Sequence, residues 1–165
     1  MGSCIEENIM KRCGTFFLCS SVVALCIAYV AQYVFGLMPC KLCLFERIPY
    51  FVALIPALIT ICKGSKVSFF VIIASYTAGI LLSVYHAGLE YGWFTDFFKC
   101  AGDLSAGTSF SDIKSSLLSG GPVISCKVPS FVFLGLSLSG WNAVYSLVCI
   151  AVGLFCFKKA RDSED

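Results

Sequence analysis

Four long apolar segments constrain this chain more than any other feature of its sequence. Residues 14–35 contain no charged side chain, and residues 44–62, 67–89 and 140–157 are apolar over most of their length. A helix needs about 20 mostly apolar residues to cross a bilayer. The sequence therefore predicts an all-α membrane protein: a four-transmembrane-helix bundle that forms a single integral membrane domain over residues 1–165.

The composition agrees with a membrane protein. Charged residues make up 13% of the chain and hydrophobic residues 58%, whereas charged residues are about 25% of an average soluble domain. The net charge of +2 is small, and there is no basic stripe or RNA-binding signature. We therefore expect a lipid bilayer as the surrounding medium and no nucleic acid as a partner.

The distribution of Lys and Arg predicts the orientation of the spans. Seven of the twelve basic residues lie in the N-terminal segment, the short second connection and the C-terminal tail. Because short cytoplasmic segments carry an excess of Lys and Arg, both termini are expected in the cytoplasm. The loops at residues 36–43 and 90–139 would then face outward. The first apolar run exceeds a usual signal-peptide core and lacks a small-x-small site, so we expect it to be retained.

This topology separates the eleven cysteines by compartment. Four of them, Cys40, Cys43, Cys100 and Cys126, are expected to face outward, where disulfides form. Four cysteines allow three pairings; the closeness of the first two favours a local pair and leaves the other two together. Both pairs could be structural. A Cys-x-x-Cys disulfide, however, closes too small a ring to stabilise much through loop entropy, and such pairs are more often redox-active.

Three ionisable side chains are expected at membrane depth, where they are costly and indicate function. Arg47 follows Cys43 by one helical turn, so its guanidinium could stabilise a thiolate or donate to the oxygen of a bound carbonyl compound. Glu46 could serve only as an interfacial anchor. His86, the single histidine, falls near the outer end of the third span, and Glu90 could orient its ring from four residues further on.

Electrons from two outward dithiols need an acceptor. The chain has no Cys-x-x-Cys-His haem motif, its one histidine rules out a bis-histidine site, and it lacks a dinucleotide-binding fingerprint. No metal site is expected, since the cytoplasmic cysteines lack ligand spacing. A lipid-soluble quinone is the simplest acceptor, because it requires only an apolar crevice and a few polar groups.

The sequence Pro-Cys-Lys-Leu-Cys-Leu-Phe-Glu-Arg at residues 39–47 resembles the DsbB family. These proteins are bacterial inner-membrane quinone reductases that reoxidise the periplasmic thiol oxidase DsbA. The segments YHAGLEYGWF at residues 85–94 and FLGLSLSGWN at residues 133–142 are similar to the family too. The resemblance extends over four spans and both outer loops, and it implies a quinone-dependent protein-disulfide oxidoreductase in the inner membrane.

The resemblance also implies a role for each outward cysteine. Cys100 would be attacked by a reduced DsbA-like partner with a thioredoxin fold. Cys126 would then exchange with Cys40, and Cys43 would reduce ubiquinone or menaquinone from the membrane pool. Three further residues match family positions near the quinone: Arg47, His86 and Glu46. Residues 109–118 could form the short helix that lies on the membrane in this family.

Two other functions remain open from the sequence alone. The first is a vitamin K epoxide reductase-like enzyme, although in that family the quinone-proximal Cys-x-x-Cys begins the last span. The second is a non-enzymatic tetraspan protein with structural disulfides. The sequence leaves undecided the quinone type, the identity of the DsbA-like partner, the resting disulfide pairing, the oligomeric state and the substrate range.

Overall fold

The computed structural model describes residues 2–95, 126, 129 and 131–162. Cys100 and the expected membrane-surface helix at residues 109–118 lie outside these residues. The elements in the described part are as follows: α1 (Gly2–Tyr33), α2 (Lys41–Phe45), α3 (Ile48–Lys63), α4 (Lys66–Glu90), β1 (Val132–Phe133), β2 (Leu136–Ser137) and α5 (Leu138–Arg161).

Four segments are long and apolar enough to cross a membrane. They are Ile5–Tyr33, Lys41–Lys63, Lys66–Glu90 and Leu138–Arg161. The prediction of an all-α membrane protein with four spanning helices is confirmed. The first helix begins well before its apolar run, because polar residues near the N-terminus continue the same helix.

The spanning helices form a bundle in which each packs against two neighbours. Helix α1 packs on α3 and α5, and α4 packs on the same two helices, so α1 and α4 lie diagonally opposite. Phe17 of α1 fills the centre, where its ring meets Phe69 edge-on at 6.0 Å and Tyr76 at 5.2 Å. Many large apolar side chains point away from this core, which is the arrangement that a surrounding bilayer favours.

The second span is interrupted between α2 and α3. Pro49 lies in the first turn of α3. Its ring would clash with the carbonyl of Phe45 in a continuous helix, and it has no N–H to donate to that carbonyl. The helix therefore breaks at Glu46 and Arg47, which form a turn. Both charged side chains are buried at this end of the bundle.

A two-stranded hairpin precedes the last helix, where the sequence predicts only a loop. Val132 pairs with Ser137 in antiparallel register, and the turn residues Leu134 and Gly135 both have positive φ, as short hairpin turns require. Tyr91 donates to the carbonyl of Gly135 at 2.8 Å and accepts from the Ser137 N–H at 3.2 Å. The hairpin is thus attached to the end of α4.

The hairpin also explains why the last helix begins at Leu138 rather than near Gly140. Ser137 has extended backbone geometry at the N-cap position. Its hydroxyl accepts from the backbone N–H of Gly140 at 3.2 Å. A serine that caps the first turn in this way fixes the helix start, so the glycine lies inside the first turn.

Candidate active site

Cys40 and Cys43 are held together by the N-terminal turn of α2. Cys40 is the N-cap residue, and its sulfur accepts from the backbone N–H of Cys43 at 3.3 Å. The Cys40 thiol also donates to the Cys43 sulfur, with the two Sγ atoms 3.1 Å apart. This donated hydrogen bond and burial raise the pKa of Cys40 to about 12. Cys43 is therefore the sulfur that more readily carries negative charge in the dithiol.

A third predicted cysteine lies against this pair. Cys126 is buried in one cluster with Cys40, Leu42 and Leu89, and Cys43 packs against the same cluster. Of the four cysteines predicted to be catalytic, the described part of the chain therefore brings three together. The contact between Cys126 and Cys40 brings the loop between α4 and α5 against the loop before α2.

His86 connects the cysteine pair to Glu46. The Nδ1 atom of His86 is 2.7 Å from Glu46 Oε1, and its Nε2 atom is 3.4 Å from the Cys40 sulfur. An ionised carboxylate can only accept hydrogen bonds, so Nδ1 carries a proton and Nε2 faces the sulfur. Glu90 Oε1 lies 3.8 Å from Nε2 on the same helix. The ring is therefore oriented by Glu46 rather than by Glu90, whose oxygen is beyond hydrogen-bond distance of the ring.

The second oxygen of Glu46 is bound by Asn142 of α5. Asn142 Nδ2 donates to Glu46 Oε2 at 3.1 Å and to the Ser83 hydroxyl at 2.8 Å. Its Oδ1 accepts from the Tyr50 hydroxyl at 2.5 Å. Sequence reasoning did not identify Asn142 or Tyr50. Asn142 could have been recognised as a polar amide inside an otherwise apolar span, because polar residues at membrane depth usually pair with another group and mark functional sites.

Arg47 points towards α1 rather than towards the cysteines. Its guanidinium donates to Gln32 Oε1 at 2.7 Å and to the Ala28 carbonyl at 3.4 Å, and it lies over the ring of Tyr29 at 4.9 Å. Its buried Nε atom has no hydrogen-bond partner within the described ranges. The sequence did not point to Gln32, although an amide at the end of the first apolar run gave the same kind of signal as Asn142.

These side chains surround one crevice of about 280 Å³ between α1, α3 and α5. A few polar groups line the crevice and most of its wall is apolar. The lining comprises Ala24, Leu25, Ile27, Ala28, Ala31, Leu37, Pro39, Cys43, Glu46, Arg47, Tyr50, His86, Glu90, Leu138, Ser139, Trp141, Asn142 and Tyr145. An apolar cavity with a few convergent polar groups is typical of a small-molecule site. Its size suits a single substituted ring.

Comparison with known proteins identifies the family. The family model described as disulfide bond formation protein DsbB matches residues 11–156. The chain belongs to the DsbB family. An uncharacterised protein of Rickettsia prowazekii (strain Madrid E) is 30% identical over 159 residues, which cover 93% of this chain and 91% of the relative. Disulfide bond formation protein B of Marinobacter nauticus is 25% identical over 159 residues, covering 91% and 92%.

Family membership confirms the resemblance seen in the sequence. A DsbB-family chain is a disulfide bond formation protein with disulfide oxidoreductase activity, and the four spanning helices make this one a multi-pass membrane protein. The vitamin K epoxide reductase-like and non-enzymatic alternatives therefore lose their support. Cys40 is buried, Cys43 is half-buried beside it, and the buried Cys126 packs against both.

Proposed function

We propose that this protein is an inner-membrane thiol oxidase that reoxidises a periplasmic DsbA-like partner and passes the electrons to a membrane quinone. One observation carries the proposal: the Cys40–Cys43 pair lies between another cysteine and an apolar crevice. Cys126 is buried against Cys40, while Cys43 lines the crevice. Electrons that reach the first sulfur through thiol exchange can leave from the second.

The exchange steps follow from disulfide chemistry. A thiolate of the reduced partner attacks Cys100 of a Cys100–Cys126 disulfide, which releases Cys126. The Cys126 thiolate then attacks Cys40 of the Cys40–Cys43 disulfide, so a Cys40–Cys126 bond forms and Cys43 leaves as a thiolate. The partner's second thiol resolves the mixed disulfide, becomes oxidised and releases the Cys100 thiolate. Cys100 then attacks Cys126 of the Cys40–Cys126 bond, which reforms the Cys100–Cys126 disulfide and releases Cys40. Each turnover therefore leaves two electrons on the Cys40–Cys43 dithiol, which closes again to a disulfide when a quinone accepts them.

The residues that line the crevice are suited to a quinone ring. A quinone, when bound, accepts two electrons and two protons. Arg47 lines the crevice with a buried Nε atom that lacks a partner in the described chain, so the guanidinium can donate to a ring oxygen and stabilise negative charge there. The apolar walls exclude water and match a lipid-soluble ligand. Ubiquinone and menaquinone both satisfy these requirements.

His86 and Glu46 can hold a proton beside the dithiol. The imidazole faces the Cys40 sulfur through Nε2 and the carboxylate through Nδ1. It can therefore take the thiol proton at Nε2 while Glu46 stabilises the resulting imidazolium. Both side chains also line the crevice, so a proton held there is available on the side where Cys43 gives up its electrons.

Turnover by a purified variant tests the proposal. Detergent-solubilised protein receives a reduced DsbA-type oxidase and a ubiquinone or menaquinone analogue, and the loss of quinone absorbance is followed. We expect Cys43→Ser to reduce quinone no faster than the reaction without protein, because the donating sulfur is absent. Cys62→Ser is the matched control, since this cysteine is exposed at the opposite end of α3. Undiminished quinone reduction by Cys43→Ser would refute the proposal.

A further inference from the structure

We propose that the reduced site also binds a soft divalent metal ion such as Zn²⁺ or Cd²⁺, with Cys40, Cys43 and His86 as ligands. The two sulfurs are 3.1 Å apart and the Cys40 sulfur is 3.4 Å from His86 Nε2. All three potential ligand atoms lie within 4.8 Å of one another. Two thiolates and an imidazole are ligands that zinc and its heavier relatives prefer.

The distances are close to those of a tetrahedral site. Bonds of about 2.3 Å to sulfur and about 2.0–2.1 Å to nitrogen put neighbouring ligand atoms about 3.5–3.8 Å apart. The Cys40–His86 separation already approaches this range, and the two sulfurs need to move apart by less than about 1 Å. A water can occupy the fourth position.

The surroundings of His86 prepare it as a ligand. Its Nδ1 atom bonds to Glu46, so the lone pair of the neutral ring lies on Nε2 and is directed at the sulfurs. A carboxylate behind the histidine is the usual support of a metal-binding imidazole. Asn142 holds the other oxygen of Glu46, which fixes the carboxylate in turn. Cys40 caps α2, Cys43 lies within α2, and His86 lies in α4.

The crevice provides the entry path, because Cys43 and His86 both line it. Metal binding displaces one proton from each thiol, and the two thiolates neutralise the doubly charged ion. A Cys40–Cys43 disulfide offers no thiolate, so the oxidised site does not bind. The metal therefore captures the reduced site and blocks attack between Cys40 and Cys126. This proposal goes beyond the oxidase activity and does not depend on a quinone.

A Cd²⁺ titration of the unsubstituted protein in its reduced and oxidised states tests the site. Purified protein in detergent, either reduced or with the Cys40–Cys43 disulfide formed, receives Cd²⁺ while the ultraviolet absorption of cadmium thiolates is recorded. We expect the reduced form to bind one additional equivalent of Cd²⁺. Peptide mapping after alkylation should find Cys40 and Cys43 protected only in that form. Zn²⁺ should displace Cd²⁺ and restore the absorption of the metal-free protein.

Variants then identify the ligands. Glu46→Gln should weaken Cd²⁺ binding about 10–100-fold, as loss of the group behind a metal-bound histidine typically does. His86→Ala should weaken it at least as much, and Cys62→Ser should leave it unchanged. Equal binding by the two redox states, alkylation of both cysteines at saturating Cd²⁺, or wild-type affinity in His86→Ala would each overturn the site. A protein that binds Cd²⁺ as expected but never reduces quinone would retain this proposal and lose the oxidase function.

Discussion

Glu46 illustrates what surroundings do to a single residue. Sequence reasoning allowed it to be only an anchor at the membrane surface, yet the residue is 8% exposed. Its two oxygens accept from His86 of α4 and Asn142 of α5. A buried carboxylate is costly unless donors replace its water, so these two bonds are what allows it to remain inside the bundle. The depth of the residue was predictable, whereas its two partners lie 40 and 96 residues further along the chain, where local sequence patterns do not indicate a contact.

Asn142→Ala is the substitution that tests this network. It removes the donor to Glu46 Oε2, whereas the Tyr50 hydroxyl keeps its bond to Ser146, and an unsatisfied buried polar group costs about 1–3 kcal/mol. We expect a lower unfolding temperature in detergent. We also expect quinone reduction to slow about tenfold, which corresponds to about 1.4 kcal/mol, because His86 loses a fixed carboxylate. Both quantities are measured on the same purified sample.

Asn8→Ala provides the control for this substitution, since Asn8 is exposed on the first turns of α1. It should change neither the unfolding temperature nor turnover. If Asn142→Ala lowers stability but leaves turnover untouched, the asparagine only holds the helices together. An unchanged unfolding temperature would contradict the inferred bonds themselves.

At the scale of elements, the four spanning helices were predictable from the sequence, whereas the segments that join and interrupt them were not. The apolar runs predicted four spans because lipid requires continuous apolar helix. The second span was predicted as continuous over residues 44–62, so the break before Pro49 was not foreseen, nor were the different helices that Glu46 and Arg47 contact. The hairpin at residues 132–137 was missed because its two-residue strands are too short to produce a pattern. The burial of Cys126 beside Cys40 depends on a long loop, which local periodicity does not describe.

The contact between α1 and α3 depends on a small residue. A Cβ atom on Gly14 would lie 3.0 Å from the Ile61 side chain and 3.1 Å from the Ala57 carbonyl oxygen. Because backbone cannot yield as a flexible side chain can, we expect Gly14→Ala to destabilise the bundle by about 1–3 kcal/mol through overpacking. Thermal unfolding in detergent measures the effect.

Gly79→Ala is the matched comparison on α4, where an added Cβ meets nothing nearer than 3.5 Å. Alanine also favours helix over glycine by roughly 0.5–1 kcal/mol. The control should therefore be neutral or slightly stabilising. Equal stability changes in the two variants would show that helix propensity, rather than the close approach of α1 and α3, determines the outcome.

At the scale of the whole molecule, a group of basic residues and the Cys40–Cys43 pair lie at opposite ends of the bundle. Lys66 pairs with Glu6 at 2.8 Å, which joins the start of α4 to the start of α1. Phe157 stacks on Phe69 at 5.0 Å, which brings the end of α5 to the same region, and the last turn of α5 carries Lys158, Lys159 and Arg161. The cysteine pair lies at the other end. Positive charge favours the cytoplasm, so this separation supports periplasmic cysteines.

Reporter fusions in cells test that orientation. Green fluorescent protein joined after Asp165 should fluoresce, because it folds in the cytoplasm. Alkaline phosphatase inserted in the loop at residues 90–139 should be active, because it requires an oxidising compartment to form its disulfides. The same enzyme inserted at Gly64, between α3 and α4, is the matched control and should be inactive. The reverse pattern would put Cys40 and Cys43 in the reducing cytoplasm, where a periplasmic partner could not reach them, and the proposed electron route would fail.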